Sequence, residues 1–167
     1  GMRGRSPFLP TPAFSKPARL GSSVGISRVT GPEELDAALD LALRHDPKAL
    51  VERGVSGREI EVGVLGEPEP VVSPVGEIQY DAEWYDYDTK YQPGRMRLSV
   101  PADIPPAAAE RARELALRAF TAVECSGLAR IDFFLRDDGE VLLSELNTMP
   151  GFTPTSVYAA LMDAGGI

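Results

Sequence analysis

The chain has 167 residues, 43% of them hydrophobic, and a formal net charge of −8 at pH 7. This is enough for one domain with a hydrophobic core, or for two small lobes that share a cleft. The acidic balance argues against nucleic acid or an anionic membrane as the main partner. No apolar run is long enough to span a bilayer and no secretory signal is present, so we expect a cytoplasmic protein.

A Gly/Ser-rich loop follows the first predicted strand. Residues 1–12 lack periodicity and are predicted to be a flexible tail, whereas residues 13–16 are predicted to form a short strand ending at Lys16. The loop contains Ser22 and Ser23 between two glycines, so its backbone N–H and hydroxyl groups can donate to phosphate oxygens. A plain hairpin turn is the alternative, and the preceding lysine favours the phosphate loop.

The next elements are predicted to be scaffold. Thr30 and Glu33 have the spacing of a capping box, and they precede the apolar stripe of an amphipathic helix over residues 35–45. A strand is predicted over residues 49–52. The only histidine of the chain, His45, lies in the last turn of the helix, and the only cysteine excludes an intrachain disulfide and a cysteine-built zinc site.

The middle of the chain predicts a strand and a long irregular loop. Residues 58–65 alternate, with Glu59 and Glu61 opposite the apolar side chains. Exposed glutamates on a strand are usually only solubilising, so the pattern alone assigns these two no function. Prolines exclude a regular central strand from residues 67–74. The aromatic and acidic loop over residues 81–91 is predicted to be a functional lid or binding edge, with a pinned surface loop as the alternative.

Two further helices are predicted in the second half of the chain. The first opens at Asp103 and closes at Gly127. Its apolar positions are Ala112, Leu115, Ala116, Ala119, Phe120 and Val123. The second covers residues 157–164 and runs out at two glycines without a clear cap.

Residues 127–153 predict a β-hairpin. Asp138-Gly139 between two apolar runs indicates a two-residue type I′ turn. On one face, this turn would pair Asp132 with Glu145 and Arg130 with Asn147. The other, apolar face would carry Ala129, Ile131, Phe133, Leu135, Leu142, Ser144 and Leu146. An odd number of loop residues would instead send Asp132 and Glu145 to opposite faces.

The two opposed carboxylates predict a site for a divalent cation. Like charges directly opposite each other destabilise a sheet unless a cation lies between them. Mg²⁺ takes carboxylate and amide oxygens and usually shares them with substrate phosphates, so Asp132, Glu145 and Asn147 are candidate ligands. The alternative is an ordinary hairpin with a solvated face, salt-bridged through Arg130. The sharp polar corner that follows Asn147 favours the metal site.

Five segments, met in order along the chain, carry a family resemblance. They are residues 14–27 (FSKPARLGSSVGIS), 51–62 (VERGVSGREIEV), 85–91 (YDYDTKY), 127–132 (GLARID) and 145–153 (ELNTMPGFT). Together they resemble the motifs of D-alanine–D-alanine ligases, which are ATP-grasp enzymes. The resemblance implies an α+β ATP-grasp fold in which two antiparallel-sheet lobes with flanking helices enclose a nucleotide cleft. Residues 13–56 would form part of the nucleotide-binding lobe, and residues 57–167 the catalytic lobe with an omega-loop at 81–91.

The resemblance implies an ATP-dependent joining of two D-alanines for peptidoglycan, through an acyl phosphate. The residues matched to ATP are Lys16, Ser22, Ser23, Glu52, Glu59 and Lys90. Those matched to two Mg²⁺ ions, with Mn²⁺ as an alternative, are Asp132, Glu145 and Asn147. Those matched to D-alanine, the tetrahedral intermediate and the covering loop are Arg130, the Gly151 backbone, Ser22, Ser156, Tyr87, Lys90 and Tyr91. The Lys90-Tyr91 pair favours a dipeptide over a depsipeptide product.

This chain departs from the family in extent. The usual N-terminal domain, which supplies much of the first D-alanine site, and the usual C-terminal helix have no counterpart between Gly1 and Ile167. We therefore hypothesise a truncated ligase that keeps most of the ATP and Mg²⁺ site and turns over poorly or not at all alone. An ATP-binding remnant and another ATP-grasp carboxylate–amine ligase stay open as alternatives. An uncovered apolar face would favour a homodimer.

Overall fold

The protein is described by a computed structural model that covers residues 12–21, 23–66, 68–80, 96–153 and 155–167. It divides into two compact units, the first ending at Val55 and the second beginning at Ser56. The predicted tail, the predicted omega-loop and four predicted site residues, Ser22, Tyr87, Lys90 and Tyr91, lie outside the described residues.

The first unit is a small antiparallel sheet with one helix. Its elements are β1 (Ala13–Pro17), β2 (Ser27–Val29), a 3₁₀ helix (Pro32–Glu34), α1 (Leu35–Leu43) and β3 (Ala49–Arg53). Strand β1 lies in the middle, between β2 and β3. The strands predicted at residues 13–16 and 49–52 are therefore confirmed. The small core of Ala13, Val29 and Ala38 lies between the sheet and α1.

The predicted capping box at the start of α1 is displaced by one residue. Glu34, not Glu33, accepts from Thr30, whose backbone N–H and hydroxyl lie 2.7 and 3.0 Å from Glu34 Oε2. The backbone hydrogen bond lowers the pKa of Glu34. A 3₁₀ turn comes before the α-helix, so the side chain that reaches back to Thr30 is one position later than in an uninterrupted α-helix.

Asp46 links the segment that follows α1 to Arg19 through hydrogen bonds. The side chain is buried, and the Nε and Nη2 atoms of Arg19 each donate to it at 2.9 Å. The backbone N–H of Lys48 donates to it as well. The paired guanidinium and this N–H lower the pKa of Asp46 from its ordinary value of 3.8 to about 2.

Replacing Asp46 with asparagine is expected to destabilise the first unit at neutral pH and to flatten its response to acid. Because folding lowers this pKa, the stabilisation is complete above pH 3.8 and is lost as the pH falls toward 2. Thermal unfolding between about pH 5 and pH 2 measures the effect. Asp40→Asn, at an exposed carboxylate of α1, should retain the native acid transition. An unchanged acid transition in Asp46→Asn would refute the assignment.

The second unit is built on a larger antiparallel sheet with the strand order β7-β6-β4-β8-β9. Its strands are β4 (Arg58–Leu65), β5 (Val71–Val72), β6 (Gly76–Tyr80), β7 (Met96–Ser99), β8 (Leu128–Leu135) and β9 (Val141–Asn147). The two-residue β5 pairs with the end of β4, in keeping with the exclusion of a regular central strand there. The helices are α2 (Pro106–Ala122) and α3 (Val157–Ala164).

Helix α2 covers the apolar face of this sheet. Ile60, Val62 and Val64 of β4 are fully buried, as the alternation predicts. The same core contains Ala129, Ile131, Phe133 and Leu135 of β8 and Ala108, Ala112, Ala116 and Phe120 of α2. Val123, predicted to face the core, is 56% exposed because α2 ends just before it. In the described parts of the chain, no helix is long and apolar enough to cross a membrane.

Helix α3 has the predicted bounds, but it ends in a glycine cap where none was predicted. Gly166 has φ of 71°, a left-handed conformation that glycine adopts without strain. The backbone N–H groups of Gly165, Gly166 and Ile167 return to carbonyls of the last turn. This geometry satisfies carbonyl groups that would otherwise lack partners.

Candidate functional site

The hairpin of β8 and β9 closes through a different turn from the predicted one. Arg136 and Glu140 pair through their backbones at 2.9 Å, so Asp137, Asp138 and Gly139 form a three-residue loop. Gly139 has φ of 85° and donates to the Arg136 carbonyl. These features define a type I turn followed by a left-handed glycine. The prediction of a two-residue type I′ turn is wrong.

A β-bulge in β9 restores the predicted pairing near the site. Phe133 lies opposite Leu143, whereas Asp132 lies opposite Glu145, so Ser144 is an extra residue. The three-residue loop alone would place Asp132 opposite Ser144 and turn Glu145 toward the apolar face. Bulge and loop together therefore give the pairs Asp132–Glu145 and Arg130–Asn147, which confirms the predicted pairing for a different reason.

The same bulge corrects part of the predicted apolar face. Leu142 lies opposite Phe134, and buried Val141 takes the core position opposite Leu135. Ser144 is exposed. Leu146 packs against the core as predicted.

Glu61 extends the carboxylate pair into a row across three strands. It lies directly opposite Asp132 on the neighbouring strand β4, and Asp132 lies opposite Glu145 on β9. Only 6% of Glu61 is exposed, so the expectation of a solubilising glutamate is wrong for this residue. Strand β4 is central and both of its faces are covered, a fact that alternation along one strand could not reveal.

Arg130 is held among these carboxylates. Its Nε lies 2.9 Å from Glu61 Oε2 and 2.7 Å from Asp132 Oδ1, and its Nη2 lies 2.7 Å from Asp132 Oδ2. Burial by itself would lower the pKa of Arg130. The bond to Asp132 and the charges of Glu61, Asp132 and Glu145 outweigh burial and raise the pKa, so the guanidinium stays charged.

Glu61, Asp132, Glu145 and Arg130 together form a charged row across three strands. This row suits a hard divalent cation in charge and in donor type. Three carboxylates surround one guanidinium, which leaves an excess of negative charge. Asn147 adds an amide oxygen that already accepts the Met149 N–H at 2.9 Å, which orients the amide. Within the described ranges, no three carboxylates, histidines or cysteines form a ready metal cluster. Both Asp132 oxygens face Arg130, so Asp132 would have to turn to reach a metal ion.

Helix α3 packs on the face of the sheet that carries the charged row. Gly63 of β4 lies opposite Arg130, and a Cβ at Gly63 would come within 2.7 Å of Met162 Sδ and 3.3 Å of Tyr158 Cε2. Glycine therefore permits the close approach of α3. The Tyr158 hydroxyl donates to the Val64 carbonyl at 3.1 Å and anchors the helix.

Ser156 and Gly151 lie in the segment between β9 and α3. The Ser156 hydroxyl donates to the Thr153 carbonyl at 2.8 Å and accepts the Thr153 N–H at 3.1 Å. Gly151 is exposed. It lies near Ser156, because a Cβ atom built at Gly151 would be 3.5 Å from the Cβ of Ser156. The predicted substrate residues of this segment are thus close to each other.

In the first unit, Lys16 and Glu52 form an ion pair of 2.7 Å. Glu52 lies opposite Phe14, two residues from Lys16, so the two charged side chains share one face of the sheet. Ser23 has φ of 60° in the loop between β1 and β2. Gly25 has φ of 72°, and a Cβ there would meet His45 and Pro17 within 3 Å.

The structure thus assembles the predicted residues in two groups, apart from Ser23, Gly151 and Ser156, which lie outside the strands. Arg130, Asp132, Glu145 and Asn147 share one sheet face with Glu59, whereas Lys16 and Glu52 belong to the first unit. The antiparallel sheets with few helices fit the α+β ATP-grasp fold that the sequence motifs imply.

A family model described as "D-ala D-ala ligase C-terminus" matches residues 6–167. The D-alanine–D-alanine ligase of Deinococcus radiodurans is 54% identical over 169 residues, covering 99% of this chain and 50% of that protein. That of Chromobacterium violaceum is also 54% identical, covering 95% of this chain and 44% of its own length. The chain thus spans about half the length of the curated relatives it matches. It belongs to the D-alanine–D-alanine ligase C-terminal family.

Solved structures agree with this membership. The VanG D-Ala:D-Ser ligase of Enterococcus faecalis superimposes with a TM-score of 0.85 at 40% identity, covering 95% of this chain and 46% of the other. The D-alanine–D-alanine ligase of Coxiella burnetii gives a TM-score of 0.80 at 34% identity, covering 93% and 41%. The predicted fold class is therefore confirmed.

Proposed function

We propose that this chain forms the ATP- and Mg²⁺-binding part of a ligase that joins two D-alanines into D-alanyl-D-alanine for peptidoglycan biosynthesis. The observation that carries the proposal is the pairing of Asp132 with Glu145, next to Arg130 and Asn147 on the same face. The names of the relatives support D-alanine as the substrate. Because the reaction consumes ATP, we place it in the cytoplasm.

The first unit would serve as the nucleotide-binding lobe and the second as the catalytic lobe. The proposed ATP contacts are Lys16, Ser22 and Ser23 at the phosphates, Glu52 at the adenine, Glu59 at the ribose, and Lys90. Asp132, Glu145 and Asn147 would hold Mg²⁺, or Mn²⁺, which prefer such oxygen ligands. The bound ions would neutralise charge that develops on the phosphate oxygens.

The two proposed chemical steps need little covalent help from the protein. The carboxylate of the first D-alanine attacks the γ-phosphorus of ATP, which gives an acyl phosphate and ADP. The amine of the second D-alanine then attacks the acyl carbon, and phosphate leaves the tetrahedral adduct together with one proton of the amine. Arg130 and the Gly151 N–H would donate to the oxygen that gains charge in this adduct. Ser156 would orient the second D-alanine, and Tyr87, Lys90 and Tyr91 would cover the site.

The test is D-alanine-dependent release of phosphate from ATP at saturating Mg²⁺, with Glu145→Ala as the control. We expect any release above the control to be slow. Thermal unfolding with and without ATP and Mg²⁺ should accompany the assay, because a chain that binds without turnover would be stabilised and yet release nothing. Absence of both effects would refute the proposal.

A second candidate differs in the amino acid that accepts the acyl group. The VanG neighbour, at 40% identity, is named as a D-Ala:D-Ser ligase. Phosphate release measured with D-alanine alone and with added D-serine or D-lactate separates the candidates. We expect D-alanine alone to suffice.

A further inference from the structure

Arg130 is bound by two carboxylates with different surroundings. Asp132 accepts hydrogen bonds from Nε and Nη2, both at 2.7 Å. Glu61 Oε2 lies 2.9 Å from Nε as an ion pair and accepts no hydrogen bond there, because the single Nε–H donates to Asp132. The side chain of Glu61 is 8% exposed and that of Asp132 is 19% exposed. Asp132, the more accessible of the two carboxylates, also lies opposite Glu145.

Asp132 cannot fully serve Arg130 and a metal ion at the same time. Its two oxygens point to the guanidinium, and coordination of a cation would draw at least one of them away. The Arg130 side chain is only 20% exposed, and a largely buried guanidinium that loses a carboxylate partner carries a large desolvation cost. A second buried carboxylate would offset this cost.

We propose that Glu61 is a positioning residue, which holds the guanidinium of Arg130 in place when Asp132 turns toward a bound Mg²⁺. The inference rests on the proposed function. Glu61 is suited to the role because it comes from β4, the strand on the other side of Asp132 from Glu145. Helix α3 packs on the same face beside Gly63, the residue opposite Arg130.

The test follows the NMR signal of the Arg130 Nε–H, assigned with Arg130→Lys. Glu61→Met removes the charge and the acceptor while nearly preserving side-chain volume. We expect the signal in this variant without ligand, because Asp132 remains, and its loss once ATP and Mg²⁺ are added. The wild type should keep the signal in both states. Glu110→Met, at an exposed glutamate of α2, should behave like the wild type.

A signal that persists in Glu61→Met with ATP and Mg²⁺ bound would overturn the inference. The Asp132→Ala variant tests the same role without a metal ion, and it does not require the Glu61→Met variant to fold. In this variant Glu61 alone should preserve the signal, and its loss would equally overturn the inference. If ATP and Mg²⁺ shift none of the other signals in the wild-type spectrum, no ligand has bound and the proposed function fails, whereas Asp132→Ala still decides the role of Glu61.

Discussion

Replacing Glu145 with glutamine is expected to weaken the affinity for Mg²⁺ and ATP by at least ~10–100-fold. Mutation of a residue that only hydrogen-bonds to a metal ligand costs this much affinity, so loss of a ligand itself should cost no less. The variant removes one charge from the row and keeps the shape of the side chain. Without ligand it should be as stable as the wild type or more stable by about 0.2–1 kcal/mol, because two opposed carboxylates repel each other. Lower affinity together with unchanged or higher stability is the signature of a ligand-binding carboxylate.

Calorimetric titration of ATP in the presence of Mg²⁺, paired with urea unfolding of the free chain, measures both effects. Glu140→Gln is the matched control, because Glu140 lies on the same hairpin and pairs with Arg136 at 2.9 Å on the surface. It should leave the affinity unchanged. Equal affinity in Glu145→Gln and the wild type would exclude Glu145 from the metal site.

Two single-residue deletions in β9 are expected to differ strongly. Deleting Ser144 removes the bulge and leaves Asp132 opposite Glu145 and Arg130 opposite Asn147, because the extra residue is the one lost. The free energy of unfolding should change by no more than about 1 kcal/mol, and ATP with Mg²⁺ should still stabilise the chain.

Deleting Leu146 instead forces a polar group into the core. If the bulge stays, Asn147 moves opposite fully buried Ile131; if the bulge is lost, Glu145 takes that place. With the loss of Leu146 packing, the expected cost is about 2–5 kcal/mol, and stabilisation by ATP and Mg²⁺ should vanish. Urea unfolding of both deletions tests the register. Equal destabilisation by the two would contradict the assigned bulge.

Much of the local structure follows from patterns that are readable along the chain. The alternation over residues 58–65 predicts β4 with its observed bounds, and the apolar stripe predicts α2 and α3. These patterns work because side-chain direction within a strand or helix depends only on the local backbone. The type of the hairpin turn does not follow from the Asp138-Gly139 pair alone. In the structure, Arg136 pairs with Glu140, so the loop has three residues and not two.

The charged row was only half visible in the sequence. Asp132, Glu145, Arg130 and Asn147 could be predicted to meet because they lie on the two strands of one hairpin, although the predicted turn is wrong and an unpredicted bulge at Ser144 restores their pairing. Glu61 could not, because its place opposite Asp132 depends on the pairing of β4 with β8, more than sixty residues apart along the chain. Helix α3 packs on the same face of β4, beside Gly63.

The sequence by itself thus determined that two carboxylates, an amide and a guanidinium would meet on one face, and its motifs pointed to the ligase family. Only the tertiary structure decided how they meet: a three-residue turn that alone would break the register, and a bulge at Ser144 that restores it. The physical reason is that register is a property of two paired strands, and one extra residue turns every later side chain to the other face. The third carboxylate, Glu61, likewise joined the row through packing between elements that are distant in the chain.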